Sequence, residues 1–173
     1  MLIQEAMTVF WQSLKDTWEE LYSLAIVNLV WLFSWSLPIG LAAAVRIPAV
    51  VILATLLSLA LFPITTAGMY YVTNRVARAK TFHFSDFLDG IKRYWWRALL
   101  WLLANAAFVG LSILNLRFYP ATFKGTWVIL VGGLWLAILA FWLAMQMYFW
   151  PLLIEQEETK MLRAWRNSAY HIL

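Results

Sequence analysis

Two asparagines, Asn28 and Asn105, are the polar residues best placed to do something in this sequence. Each lies inside a long apolar run, and the two stand 77 residues apart. An amide in that setting has two uses. It bonds across to a neighbouring helix, or it lines the path of a neutral solute. Thr65 and Thr66, followed by Gly68, come just after Pro63 and form a second polar cluster. The same choice exists there: hydroxyls that satisfy carbonyls freed by the proline, or a broken-helix solute site. Ser34, Ser36, Thr55, Ser58, Ser112, Asn115 and Gln146 are scattered, and such side chains usually bond their own helix.

Other chemistry is sparse. The chain has no cysteine, which removes disulfides, thiolate metal sites and cysteine nucleophiles. His83 and His171 lie too far apart to suggest a ligand pair. Asp86 and Asp89 are three residues apart at a helix start, where the positive end of the helix dipole accounts for them. No Asp, Glu, Lys, Arg or His falls in the middle of an apolar run, which argues against a proton-coupled pump. Phosphate-cradling glycine loops, Ser–His–Asp patterns and nucleic-acid motifs do not occur. The expectation is a protein that is not an enzyme, with no metal, no cofactor and no nucleic-acid partner.

One surface signal is strong. Arg75, Arg78, Lys80, Lys92, Arg93 and Arg97 crowd a single connection and its flanks. They read as a topology signal that also binds lipid headgroups, or as a docking site for a partner. Glu155, Glu157 and Glu158 form the acidic cluster, positioned to pair with that basic loop.

These residues are held by a chain of 173 residues that is 64% hydrophobic and 13% charged. A soluble domain of this size could not bury so much apolar surface. Four runs are long enough to cross a bilayer: 21–45, 47–72, 95–116 and 126–154. They are apolar on every side rather than alternating, which favours helices over barrel strands. Arg46 separates the first two, and Pro48 suits the first turn of the second helix. Pro38 and Pro63 predict kinks. Trp18, Trp95, Trp96 and Trp150 sit near run ends and suit the membrane interface. Trp31, Trp101, Trp135 and Trp142 lie deeper and suit packing between helices. With the N-terminus cytoplasmic, ten of the thirteen Lys and Arg residues fall on the inner side, leaving Arg46, Arg117 and Lys124 outside. Both termini are therefore expected inside.

Shifted by 77 residues, the chain partly overlays itself. Thr8 falls on Ser85, Phe10 on Phe87, Leu14 on Ile91, Lys15 on Lys92, Trp18 on Trp95 and Asn28 on Asn105. With one extra residue, Met69-Tyr70-Tyr71 falls on Met147-Tyr148-Phe149. Each unit reads as an interfacial amphipathic helix, capped at Thr8 or Ser85, followed by two spans. Two spans return the chain to its starting side, so the repeats are parallel. The single membrane domain divides into repeat 1 over about 8–72, repeat 2 over about 85–154 and the start of a third over about 159–173. In that third stretch Met161 falls on Phe10, Trp165 on Leu14 and Arg166 on Lys15. A third unit would want two spans of its own, so truncation is expected in preference to a terminal helix lying flat on the membrane.

Phe10-Trp11, Asn28-Leu29-Val30-Trp31, Leu37-Pro38-Ile39 and the run Phe62 to Tyr70, followed by the basic loop and Phe84-Ser85-Asp86-Phe87, resemble the YesL-like family of bacterial integral membrane proteins. The resemblance covers most of the chain. It implies the bacterial cytoplasmic (inner) membrane and a link to carbohydrate uptake by an importer of the ATP-binding-cassette type. Two functional expectations follow. One is an auxiliary or assembly subunit that contacts importer subunits or further copies of itself within the bilayer. The alternative is a small carrier or channel for a neutral solute.

Overall fold

The computed structural model describes the backbone of residues 2–78, 80–81, 83–156 and 160–172; in the first helix it describes side chains at Met7, Trp11, Trp18 and from Leu21 onward. Among these residues the chain is all α: α1 (Leu2–Val45), α2 (Pro48–Ala77), α3 (Phe84–Thr122), α4 (Trp127–Glu155) and α5 (Met161–Tyr170). The first four each contain a stretch long and apolar enough to cross a membrane. The protein is a polytopic helical membrane protein. The four runs read from the sequence fall on α1 to α4; α2 extends five residues beyond its run, and α3 extends eleven residues before and six beyond its own.

The amphipathic starts are not separate elements. Residues 2–45 form one helix, and so do residues 84–122. At about 1.5 Å per residue, the 44 residues of α1 run about 66 Å, roughly twice a bilayer core. Nothing at Glu20-Leu21 or Trp95-Trp96 breaks a helix, because neither junction carries glycine or proline. The expected caps at Thr8 and Ser85 are corrected, because both helices begin ahead of them. Thr8 lies within α1, and Ser85 lies in the first turn of α3. The side chains of Thr8, Phe10, Leu14 and Lys15 lie outside the described residues, as do Phe82, Glu157, Glu158 and Thr159.

The chain packs as two compact units, Met1–Trp95 and Trp96–Leu173. In the first, α1 and α2 form an antiparallel hairpin. Arg46 turns the chain with a left-handed φ of 57°, and its N–H bonds Ala42 O at 3.1 Å. Ile47 is extended and Pro48 opens α2, as proline's fixed φ and missing donor favour. Val27, Val72 and Phe87 form the buried apolar centre. The start of α3 presses on α2 through two glycines. A Cβ on Gly90 would lie 2.7 Å from Tyr71 Cβ and 3.0 Å from Gly68 Cα. Backbones approach this closely in membranes only where side chains are absent.

In the second unit, the rest of α3 pairs antiparallel with α4. Phe118, Tyr119, Phe123 and Trp127 cluster where the two helices join, with ring centroids as close as 5.3 Å. The helix α5 lies along the far end of α4. Its Trp165 meets Phe149 at 5.1 Å and Trp142 at 5.8 Å, and its small Ala164 and Ser168 are fully buried. Trp150 departs from the interfacial role expected of it. It is 2% exposed, with its ring 6.0 Å from that of Trp101, because α4 turns this residue into the unit. Compact packing thus groups each hairpin with the amphipathic stretch that follows it, whereas the sequence repeat groups each hairpin with the stretch before it.

The glycine contact makes a prediction of sign. Helix propensity alone makes Gly→Ala stabilising by about 1 kcal/mol. At Gly90 the added methyl must displace Tyr71 or α2 itself, so Gly90→Ala lowers stability by about 1–3 kcal/mol. Gly110 has nothing within 4 Å of its would-be Cβ. Gly110→Ala leaves stability equal or higher. Unfolding in detergent micelles checks both, and a stabilised Gly90→Ala would contradict the close crossing.

Candidate functional site

Among the described residues, two networks of polar side chains cross between helices of the spans, one in each unit. The larger joins α3 to α4. Trp101 and Asn105 lie four residues apart on one face of α3, and Trp142 and Gln146 lie four apart on the facing side of α4. Because the helices run antiparallel, each indole meets the other helix's amide. Trp101 Nε1 donates to Gln146 Oε1 at 2.8 Å, and Trp142 Nε1 donates to Asn105 Oδ1 at 3.0 Å. The amides then close the set. Asn105 Nδ2 donates to Trp101 O at 2.8 Å and reaches Gln146 Oε1 at 3.3 Å, while Gln146 Nε2 donates to Trp142 O at 3.0 Å. Phe108 stacks on Trp142 with centroids 4.3 Å apart and planes 14° apart, fixing the indole that Asn105 receives. An unsatisfied polar group in hydrocarbon costs several kcal/mol, so a closed set of this kind holds its helices in one register.

The smaller network joins α1 to α2 around Pro63. Trp31 Nε1 donates to Thr66 Oγ1 at 2.9 Å, and Thr66 donates in turn to Phe62 O at 2.6 Å. Thr65 lies 2.9 Å from Leu61 O, and Ser34 Oγ approaches Thr65 Oγ1 at 3.2 Å. The helix α2 continues unbroken through Pro63 from Pro48 to Ala77. Trp31, Trp35 and Phe62 pack edge to face or tilted at 5.7–6.2 Å around this point.

Asn28, the repeat partner of Asn105, behaves differently. It is exposed on α1 and its amide donates to Leu24 O of the same helix at 3.0 Å. The position that would answer Gln146 in the first unit is Gly68, which the start of α3 occupies instead. The equivalence of the two asparagines in sequence does not extend to their bonds.

The basic residues divide as well. Arg75 Nη1 lies 3.3 Å from Asp86 Oδ1, and Arg75 Nη2 donates to Thr81 O at 3.2 Å. Asp86 Oδ2 also accepts the His83 backbone N–H at 2.8 Å. That bond is the acidic half of a capping box, with Asp86 reaching back to the residue before the helix. Arg75 therefore clamps the end of α2 to the start of α3. Arg78, Lys80, Lys92 and Arg93 are exposed, with Arg93 set over the Tyr94 ring at 5.7 Å.

Sequence reasoning passed over Trp101 and Trp142 as donors and left Gln146 among scattered polar residues. The signal was present: Trp-x-x-x-Asn on one span and Trp-x-x-x-Gln on the next in an antiparallel pair. Bonds of this kind average about 0.6 kcal/mol and reach about 2. Asn105→Leu, which orphans the Trp142 indole N–H and one contact of Gln146, should cost about 1–2 kcal/mol in unfolding experiments. Asn28→Leu should cost under about 0.5 kcal/mol. In a double-mutant cycle, Asn105→Leu with Trp142→Phe should cost clearly less than the two separate losses added together. The chain matches no family model, no curated protein and no solved structure.

Proposed function

We propose that the chain is a non-enzymatic membrane subunit that acts by contact with other membrane proteins, as an auxiliary or assembly factor for a carbohydrate importer of the ATP-binding-cassette type. The observation that carries the contact reading is the use of the intramembrane polar groups. Asn105, Gln146, Thr65 and Thr66 are bonded within their own units. What the spans offer outward is large and apolar: Leu53, Leu56, Ile129, Leu130 and Leu134 are all more than half exposed. Such faces suit lipid or the spans of a partner, since packing in a bilayer proceeds through van der Waals contact. The link to carbohydrate uptake and to the bacterial inner membrane rests on the resemblance to the YesL-like family.

A second reading draws on Asn28. Its amide is exposed at membrane depth, and it suits the wall of a path for a neutral solute, with the protein acting as a carrier or channel.

Purification of the tagged chain in mild detergent from its own membrane tests the first reading. Importer membrane subunits should accompany it in a fixed ratio, and emergence of the chain alone would count against it. Asn28→Leu separates the second. A contact role leaves solute flux into proteoliposomes at the background level with or without the substitution. A path role gives flux in the parent chain that the stable variant loses.

A further inference from the structure

The acidic residues avoid both hairpin turns. All nine lie before residue 21, at Asp86 and Asp89, or at Glu155 and beyond. The turn of the first unit carries Arg46, and Arg117 and Lys124 flank that of the second. Helix length keeps the opposite charges apart within each unit. The 25 residues of Leu21–Val45 separate Glu20 from Arg46 by about 38 Å, and the 30 residues of α2 separate Arg46 from Asp86 by about 45 Å. The 29 residues of α4 put Glu155 about 42 Å from Trp127. Among the described residues, no carboxylate, carbonyl or ring holds the side chain of Arg46, Arg117 or Lys124. The turn geometry gives no reason for an arginine either, since glycine adopts the φ of 57° found at Arg46 at less cost.

Each of these cations stands in exposed apolar surface. Val45 and Ile47, both more than half exposed, flank Arg46, and the exposed Phe118 and Phe123 adjoin Arg117 and Lys124. The turns are short, residues 46–47 and 123–126, and the apolar runs reach them. The cations are therefore held where hydrocarbon gives way to headgroups. We propose that the two hairpin turns bind the phosphates of anionic phospholipids, through Arg46 in the first unit and through Arg117 with Lys124 in the second. A soluble acidic partner or a free phosphate would use the cations and leave the exposed Phe118 and Phe123 in water. A zwitterionic lipid would bring its own cation to turns that hold no acid. Basic residues at the membrane surface select anionic headgroups for this reason. The inference does not depend on whether the chain serves an importer.

NMR of the full chain in lipid nanodiscs tests it, as phosphatidylglycerol replaces phosphatidylcholine of the same acyl chains in steps. The backbone amide of residue 46 and the indole of Trp127 are the reporters. Each basic residue near the surface favours an anionic headgroup about fivefold. The Trp127 signal, beside two cations, should reach half its shift when about one lipid in twenty-five is phosphatidylglycerol, and the residue 46 signal at about one in six. R117Q/K124Q should make the Trp127 signal follow the bulk composition and leave that of residue 46 unchanged. R46Q should do the reverse. Indole signals of Trp101 and Trp142 that stay in place show that both variants keep their fold. Reporter signals in the parent chain that ignore phosphatidylglycerol, or that merely track its bulk fraction, would overturn the proposal. So would equal shifts in pure phosphatidylcholine discs on adding millimolar inorganic phosphate or a polyglutamate peptide, which would assign the cations to a free anion or to an acidic protein.

Discussion

Hydrocarbon offers no hydrogen-bond partner, and every polar group carried into it must find one within the protein. Helices settle the backbone. Among the described side chains, Asn28, Thr55 and Ser112 bond carbonyls of their own helix, Ser58 and the Trp35 indole are buried without a hydrogen-bond partner, and others pair across antiparallel hairpins, most tightly in the reciprocal exchange between Trp101 and Gln146 and between Asn105 and Trp142. Large indoles bring two benefits to that exchange. They reach across the gap between helix axes, and they fill it with apolar surface once there. Register, spacing and rotamer are then fixed together, because a slip of one residue would leave four polar groups unbonded.

The first unit solves the same problem with different residues. Hydroxyls near Pro63 replace amides, and the contact between α2 and the next helix is made by glycine rather than by a polar pair. The Arg75–Asp86 clamp holds the chain where it leaves α2, outside the apolar stretch, so that the backbone of α3 starts in the right place to meet Gly68. Polar bonding in one unit and close backbone packing in the other are alternative ways of gaining association without a hydrophobic driving force between helices.

Much of this was legible in the sequence because membrane solvation is a local and additive property. Twenty apolar residues without a charge mean a span wherever they occur, so α1 to α4 could be placed, and Arg46-Ile47-Pro48 marked the first turn. Asn105, Thr65 and Thr66 stood out, as Asn28 did, because polar residues are rare in such runs. What could not be seen was pairing. Trp150 looked interfacial because it lies near a span end, yet the facing helix buries it. Arg75 looked like one more cation of a basic loop until Asp86 came within reach. Gly68 and Gly90 carry no periodic signal that would bring them together. Each of these depends on the angular position of one helix against another, which an apolar run with no polar face leaves open.

The association of α3 with α4 depends on the intramembrane amides and indoles being bonded to each other rather than to water in a path. Hydrogen–deuterium exchange of the tryptophan indole protons, followed by NMR in lipid nanodiscs, tests this without altering a residue. Bonded as they are, the indole protons of Trp101, Trp142 and Trp31 should exchange far more slowly than that of Trp18, which is 71% exposed. Exchange at Trp101 and Trp142 as fast as at Trp18 would show water at the network and would contradict it.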